Sequence, residues 1–137
     1  MNFKFTEFTK SYTASAKGID NVPKDLTVFD NLMALIVNVL QPLREAYGKP
    51  IIIGSGYRCK ALNKAVGGVE NSQHMKGEAA DLQTGSTKGN KELMQLAKRL
   101  KLPFDQMINE KPDKDGNPSW VHISYRPNPR RQVITIK

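Results

Sequence analysis

FDQMINEKPDKDGNPSWVHISY, residues 104–125, decides the fold. Residues 104–110 read as a strand in which Gln106, Ile108 and Glu110 share one face by period-two alternation. Pro112-Asp113-Lys114-Asp115-Gly116-Asn117-Pro118 is dense in turn-forming residues. The chain then returns as residues 120–125, with Trp120, His122 and Ser124 on one face and Val121, Ile123 and Tyr125 on the other. A strand, a polar turn and a returning strand predict an antiparallel hairpin.

Working outward, residues 132–136 predict an added edge strand and residues 79–83 another strand. Ile51, Ile52 and Ile53, bounded by Pro50 and Gly54, read as a short buried strand, and Gly54-Ser55-Gly56 lets the backbone bend after it. Helical spacing relates Val28, Phe29, Leu32, Leu35, Ile36, Val39, Leu40 and Leu43. Asp25 or Thr27 can cap this helix, Pro42 should kink it or start a second segment, and Gly48 and Pro50 end it. A shorter helix is expected over residues 60–66, with Leu62, Ala65 and Val66 inward and Gly67-Gly68 as its stop. Another is expected over residues 91–100, with Leu93, Leu96, Ala97 and Leu100 on one face. The first 23 residues are mixed and turn-rich and should wrap over the core. The expectation is an α+β fold, helices on a mostly antiparallel sheet, forming one domain over residues 1–137.

A chain of 137 residues can bury a core without covalent staples. Cys59 is the only cysteine, so no internal disulfide is available. The N-terminus has no continuous apolar stretch of the secretory type, and the run from Leu32 to Leu40, broken by Asn38, reads as too short to span a bilayer. These features predict synthesis in the cytoplasm without a signal peptide, no membrane association, and a monomer. The net charge of +8 favours polyanions in general, but the basic residues are scattered and not interleaved with aromatics, which argues against nucleic acid and suits an anionic wall polymer.

The chain has two histidines. His74 lies in the polar loop Asn71-Ser72-Gln73-His74, and His122 points away from the apolar face of its strand. Asp81, in Gly77-Glu78-Ala79-Ala80-Asp81-Leu82, is a carboxylate flanked by small residues in a strand that looks buried, so it needs a partner or a metal. Two imidazoles and a carboxylate make a catalytic zinc set with a fourth position left for water. Taken singly, a histidine more often serves core or surface, and this spacing is not one of the tight helical zinc motifs, so spacing alone leaves the metal reading open.

The blocks Ser55-Gly56-Tyr57-Arg58, Leu62-Asn63, Val66-Gly67-Gly68, Ser72-Gln73-His74-Met75-Lys76-Gly77-Glu78-Ala79-Ala80-Asp81 and Trp120-Val121-His122-Ile123-Ser124 together resemble the zinc D-Ala-D-Ala carboxypeptidases and murein endopeptidases of peptidase family M15, most of all its small phage and bacterial members. The resemblance implies an α+β fold shared with the hedgehog signalling domain. It implies one zinc ion on His74, Asp81 and His122, and hydrolysis of peptidoglycan peptides in the bacterial cell wall, as a phage lysin does. It also implies that Arg58 faces the substrate or the developing oxyanion and that Ser72 lines the pocket. A guanidinium is always charged and suits that role, although many arginines only pair a structural carboxylate. Several relatives carry an acidic general base three residues before the last histidine, where this chain has Ser119, which cannot act as a base at neutral pH. Glu110, at the end of the preceding strand, is the nearest replacement, with a solvated strand-end carboxylate as its ordinary reading. Asp113 and Asp115 suit the turn better.

Three other readings compete. Cys59 beside Arg58 could serve a cysteine peptidase, although a lone cysteine is usually a small buried apolar group. The domain could bind zinc or the wall without catalysis, as a module of a larger particle. A basic nucleic-acid binder would rest on charge alone.

Overall fold

The computed structural model describes all residues 1–137. Five strands form one sheet in the order β1-β2-β4-β3-β5: β1 Ile52–Ser55, β2 Ala79–Gln83, β3 Gln106–Glu110, β4 Trp120–Ser124 and β5 Gln132–Ile136. The β1–β2, β2–β4 and β3–β4 pairs are antiparallel, and β5 runs parallel to β3. The hairpin forms as the alternation predicts, with Glu110 opposite Trp120 and Ile108 opposite His122. Asp113 organises the turn: its carboxylate accepts from the Asp115 and Asn117 amides and from the Thr87 hydroxyl.

One face of the sheet is apolar. Ala80, Leu82, Met107, Val121 and Ile123 join a buried cluster of 21 residues with Leu32, Leu35, Val39, Leu40 and Leu43 from the long helix and Leu93, Met94, Leu96 and Ala97 from a second one. Burying each leucine there contributes about 2 kcal/mol of transfer free energy. The long helix begins at α2, Leu26–Leu35, where the Asp25 carboxylate accepts from the Thr27 amide at 2.8 Å. It passes through a π-helical turn, Ile36–Leu40, and continues as α3, Gln41–Tyr47, with Pro42 in its first turn. Pro42 has no N–H to offer the carbonyl four residues back, and its ring would collide with that carbonyl. The widened turn, in which the Gln41 amide reaches Ile36 O, removes the collision and lets the helix run on instead of kinking sharply. Leu26–Tyr47 is thus a 22-residue helix with the expected ends; it is long and apolar enough by length and composition to cross a membrane, which the run from Leu32 to Leu40 alone did not suggest, while its inward side chains lie in the core cluster.

Three other elements depart from expectation. β1 is an edge strand, so Ile51 is buried but Ile52 is exposed. Within α4, Lys60–Ala65, Leu62 and Asn63 face inward, whereas Ala65 and Val66 do not. A buried asparagine with bonding partners has taken the place the apolar reading gave to Ala65. Helix α5, Thr87–Arg99, starts four residues before the expected position because the Ser86 hydroxyl caps it by accepting from the Gly89 amide. The N-terminal region wraps the core as predicted, through Phe3 and Phe8, and adds a short helix, α1, Tyr12–Lys17.

Candidate metal centre and cleft

The second face of the sheet carries the chemistry. Asp81 on β2 stands directly across the ladder from His122 on β4, and Ser55 on β1 stands across from Asp81. Paired residues of an antiparallel ladder project to the same side, so Ser55, Asp81, His122 and Ile108 form one row, and Gln83, Trp120 and Glu110 form the next. His74 comes from outside the sheet, on a 3-10 turn, Gln73–Lys76. Gly77 ends that turn at φ 74°, and a Cβ there would lie 2.7 Å from Val28 O, so only glycine allows the turn to sit against α2.

Asp81 Oδ1 lies 3.1 Å from His122 Nδ1 and 3.3 Å from His74 Nε2. One donor atom from each residue falls within 4.8 Å of the other two. His74 is 2% exposed, and its Nδ1 contacts Gly56 O at 2.6 Å. That carbonyl can only accept, so Nδ1 carries a proton, and in the neutral ring the Nε2 lone pair faces Asp81. Nε2 has no hydrogen-bond partner. A buried lone pair aimed at a carboxylate oxygen is repulsive unless a cation lies between them, and a carbonyl that fixes the distal ring nitrogen is the usual support of a metal-bound histidine. The donor set of two nitrogens and one carboxylate oxygen fits zinc. Burial pushes the Asp81 carboxyl up, but the His122 and His74 rings beside it outweigh burial and hold it well below the usual carboxylate range.

Two further groups support this centre without belonging to the donor triad. The Gly56 carbonyl is backbone. Ser72, expected at the pocket wall, is buried, and its hydroxyl accepts from the His74 amide at 3.1 Å, capping the turn that presents the histidine. It does not line the cavities beside the metal site.

Arg58 lies between β1 and α4. Its Nη1 donates to Asn63 Oδ1 at 3.0 Å, while its Nε is buried without a partner. Desolvation lowers the affinity of the guanidinium for its proton, and the charges of Asp81 and Glu110 act the other way. Glu110 sits on the metal face, where burial, then the nearby Asp81, raises its pKa, opposed by His122, Lys111 and Arg58. Ser119 is spent on the hairpin, its hydroxyl donating to Lys111 O at 2.6 Å. Cys59 caps α4, its sulfur accepting from the Leu62 amide at 3.5 Å.

A cleft of about 500 Å³ opens beside Asp81 and Arg58, walled by β1, by Tyr57, Leu62 and Val66, and by residues 10–13 of the N-terminal segment. A smaller one of about 270 Å³ lies on the other side, between Ser55, Gln83 and Trp120.

Sheet, donor triad and cleft define an α+β fold whose open face brings together a His-Asp-His group that could hold one metal ion beside a groove. A family model described as Peptidase M15 matches residues 1–124, and the chain belongs to that family. It is also 52% identical over 48 residues to the zinc D-Ala-D-Ala carboxypeptidase of Streptomyces albus G, a match covering 34% of this chain and 19% of that protein.

Proposed function

We propose that this protein is a zinc-dependent peptidase that hydrolyses peptide bonds of bacterial peptidoglycan, as a D-Ala-D-Ala carboxypeptidase or murein endopeptidase. The observation that carries the reading is the unpaired, buried His74 Nε2 facing Asp81 and His122 at the end of an open cleft. Membership of the M15 family and the local identity to a zinc carboxypeptidase support it.

His74, Asp81 and His122 would hold the ion. Zinc bound by such a set acts as a Lewis acid and brings the pKa of a bound water to about 7. The remaining work falls to protein groups. Glu110, on the same face and with its pKa raised by burial, accepts a proton as the attacking oxygen forms its bond to the peptide carbon. It then returns the proton to the departing amine. The Arg58 guanidinium, which lines the cleft beside Asp81, supplies a fixed positive group for a substrate oxygen that gains charge. Ser72 acts through His74 and not on the substrate.

The test is incubation of purified protein with peptidoglycan, with and without a zinc chelator, followed by mass spectrometry of the released ends. Chelator-sensitive release of free D-Ala supports the carboxypeptidase; new amino termini support the endopeptidase and a lysin role. Stoichiometric zinc with no cleavage would replace the reading with a wall-binding module.

A further inference from the structure

The cleft has one wall that the metal chemistry does not use. Residues 10–13 face β1 across it, and that segment is built into position by bonds to the loop carrying Arg58. The Asn21 side chain is buried; its Nδ2 donates to Thr9 O at 3.0 Å and to Tyr57 O at 2.9 Å, and its Oδ1 accepts from the Cys59 amide at 2.7 Å. The Tyr57 amide donates to Phe8 O at 2.6 Å. Gly56 is pressed against Phe8, where a Cβ would fall 2.6 Å from Phe8 Cα. A flank stapled at three points on both sides of Arg58 is part of the site's framework, not a loose terminus.

Two further features describe what this wall faces. β1 pairs with β2 alone, and its backbone makes no hydrogen bond outside that ladder, so its outer edge offers unpaired N–H and C=O groups along the cleft. An extended peptide can pair with such an edge. Lys10 and Arg58 are the charged groups of the lining besides Asp81 at its metal end. Lys10 is exposed, and its ammonium lies 5.5 Å from the ring centre of Tyr12, itself exposed. A cation above an aromatic plane, across from an open strand edge, suits a peptide that carries a carboxylate.

We propose that Lys10 and the Tyr12 ring, opposite the open edge of β1, form a substrate subsite that selects extended peptides carrying a free carboxylate away from the scissile bond. The inference rests on the peptidase reading. It assigns the N-terminal segment to specificity and leaves bond cleavage to the metal face.

The test compares two stem peptides with zinc-loaded protein, identical except that the D-Glu α-carboxyl is free in one and amidated in the other. Wild-type protein is expected to prefer the free acid in kcat/KM, and Lys10→Glu to shrink that preference on the order of tenfold. Lys17→Glu, the same charge reversal outside the cleft, should leave the preference as it is. An unchanged preference in Lys10→Glu, or an equal change in Lys17→Glu, overturns the subsite while the peptidase stands. If wild-type protein cleaves neither peptide, the peptidase reading fails separately. The ratio of their dissociation constants, measured by calorimetry in both variants, then judges the subsite by the same criterion.

Discussion

Gln73 donates from its side-chain amide to Asp105 Oδ2 at 3.1 Å, joining the turn that carries His74 to the anchor of the chain's last segment. Asp105 is fully buried and also receives Arg126 Nε at 3.1 Å, Arg130 Nη2 at 2.9 Å and the Arg130 amide at 3.0 Å. One carboxylate thus fixes both a neighbour of the metal centre and the approach to β5. Burial alone would raise its pKa; the Arg130 bonds and charge, with Arg126, bring it down to about 2.

Replacing Asp105 by alanine leaves these donors without an acceptor, and the expected loss of folding stability is about 3 kcal/mol. Asp105→Asn keeps part of the bonding and should lose less. Because the folded-state pKa is depressed, the carboxylate's contribution is complete above its ordinary pKa of 3.8 and is lost as pH falls from there through about 2. Urea titrations at pH 6 and pH 3 measure this directly. The wild-type advantage over Asp105→Asn should be smaller at pH 3.

Metal removal should cost stability, because the donors converge in the folded state only. With free zinc at 100 times the dissociation constant, the folded state gains about 2.7 kcal/mol. His74→Ala, Asp81→Ala and His122→Ala should each abolish most of this gain, read as the zinc-dependent shift of the unfolding midpoint. A full shift in any of the three would remove that residue from the ligand set.

The hairpin and the strand holding Asp81 were legible because period-two alternation survives where one face packs on a core and the other does not. His122 could be assigned to an open face from that pattern, whereas Asp81 reads only as a carboxylate in a strand that looks buried, and the pairing of the two depends on a contact between residues 41 positions apart in sequence. Spacing says nothing about such a contact. β1 was misread as buried because three isoleucines look alike in a central and in an edge strand. The helix start at Ser86 was missed because its first turn, Thr87-Lys88-Gly89-Asn90, has no apolar periodicity. Asn21 and Asn63 were invisible for a related reason: their roles depend on what folds against them. A polar residue amid apolar helix positions, as Asn63 is between Leu62 and Ala65, was the one available hint.

Glu110→Gln removes the proposed proton carrier while keeping its shape. Activity should fall by about 10² to 10⁴. Bound zinc, counted by atomic absorption, should remain at one per chain if Glu110 is not a ligand. Since burial raises the Glu110 pKa above its ordinary 4.5, wild-type kcat/KM should decline as pH drops through that raised value, the carboxyl then being protonated and unable to accept. The residual activity of Glu110→Gln should lack this limb. A variant with near-normal activity would return the general base to the unassigned groups and leave Glu110 a strand-end carboxylate.

Gly56 joins the metal centre to the cleft wall, its carbonyl held by His74 Nδ1 and its Cα pressed against the Phe8 backbone. A Cβ there would stand 2.6 Å from Phe8 Cα and from Phe8 O, neither of which can rotate away. The backbone must shift, so Gly56→Ala should cost about 1–3 kcal/mol as an overpacking substitution. Movement of the Gly56 carbonyl also loosens the fixed tautomer of His74, so zinc affinity should weaken along with stability. Gly48→Ala makes a useful comparison: a Cβ there meets nothing, but φ is 74°, so backbone strain alone should lower stability. If Gly56→Ala weakens zinc binding and Gly48→Ala does not at a matched loss of stability, the coupling runs through the Gly56–His74 bond. Equal effects would mean that zinc affinity follows global stability only.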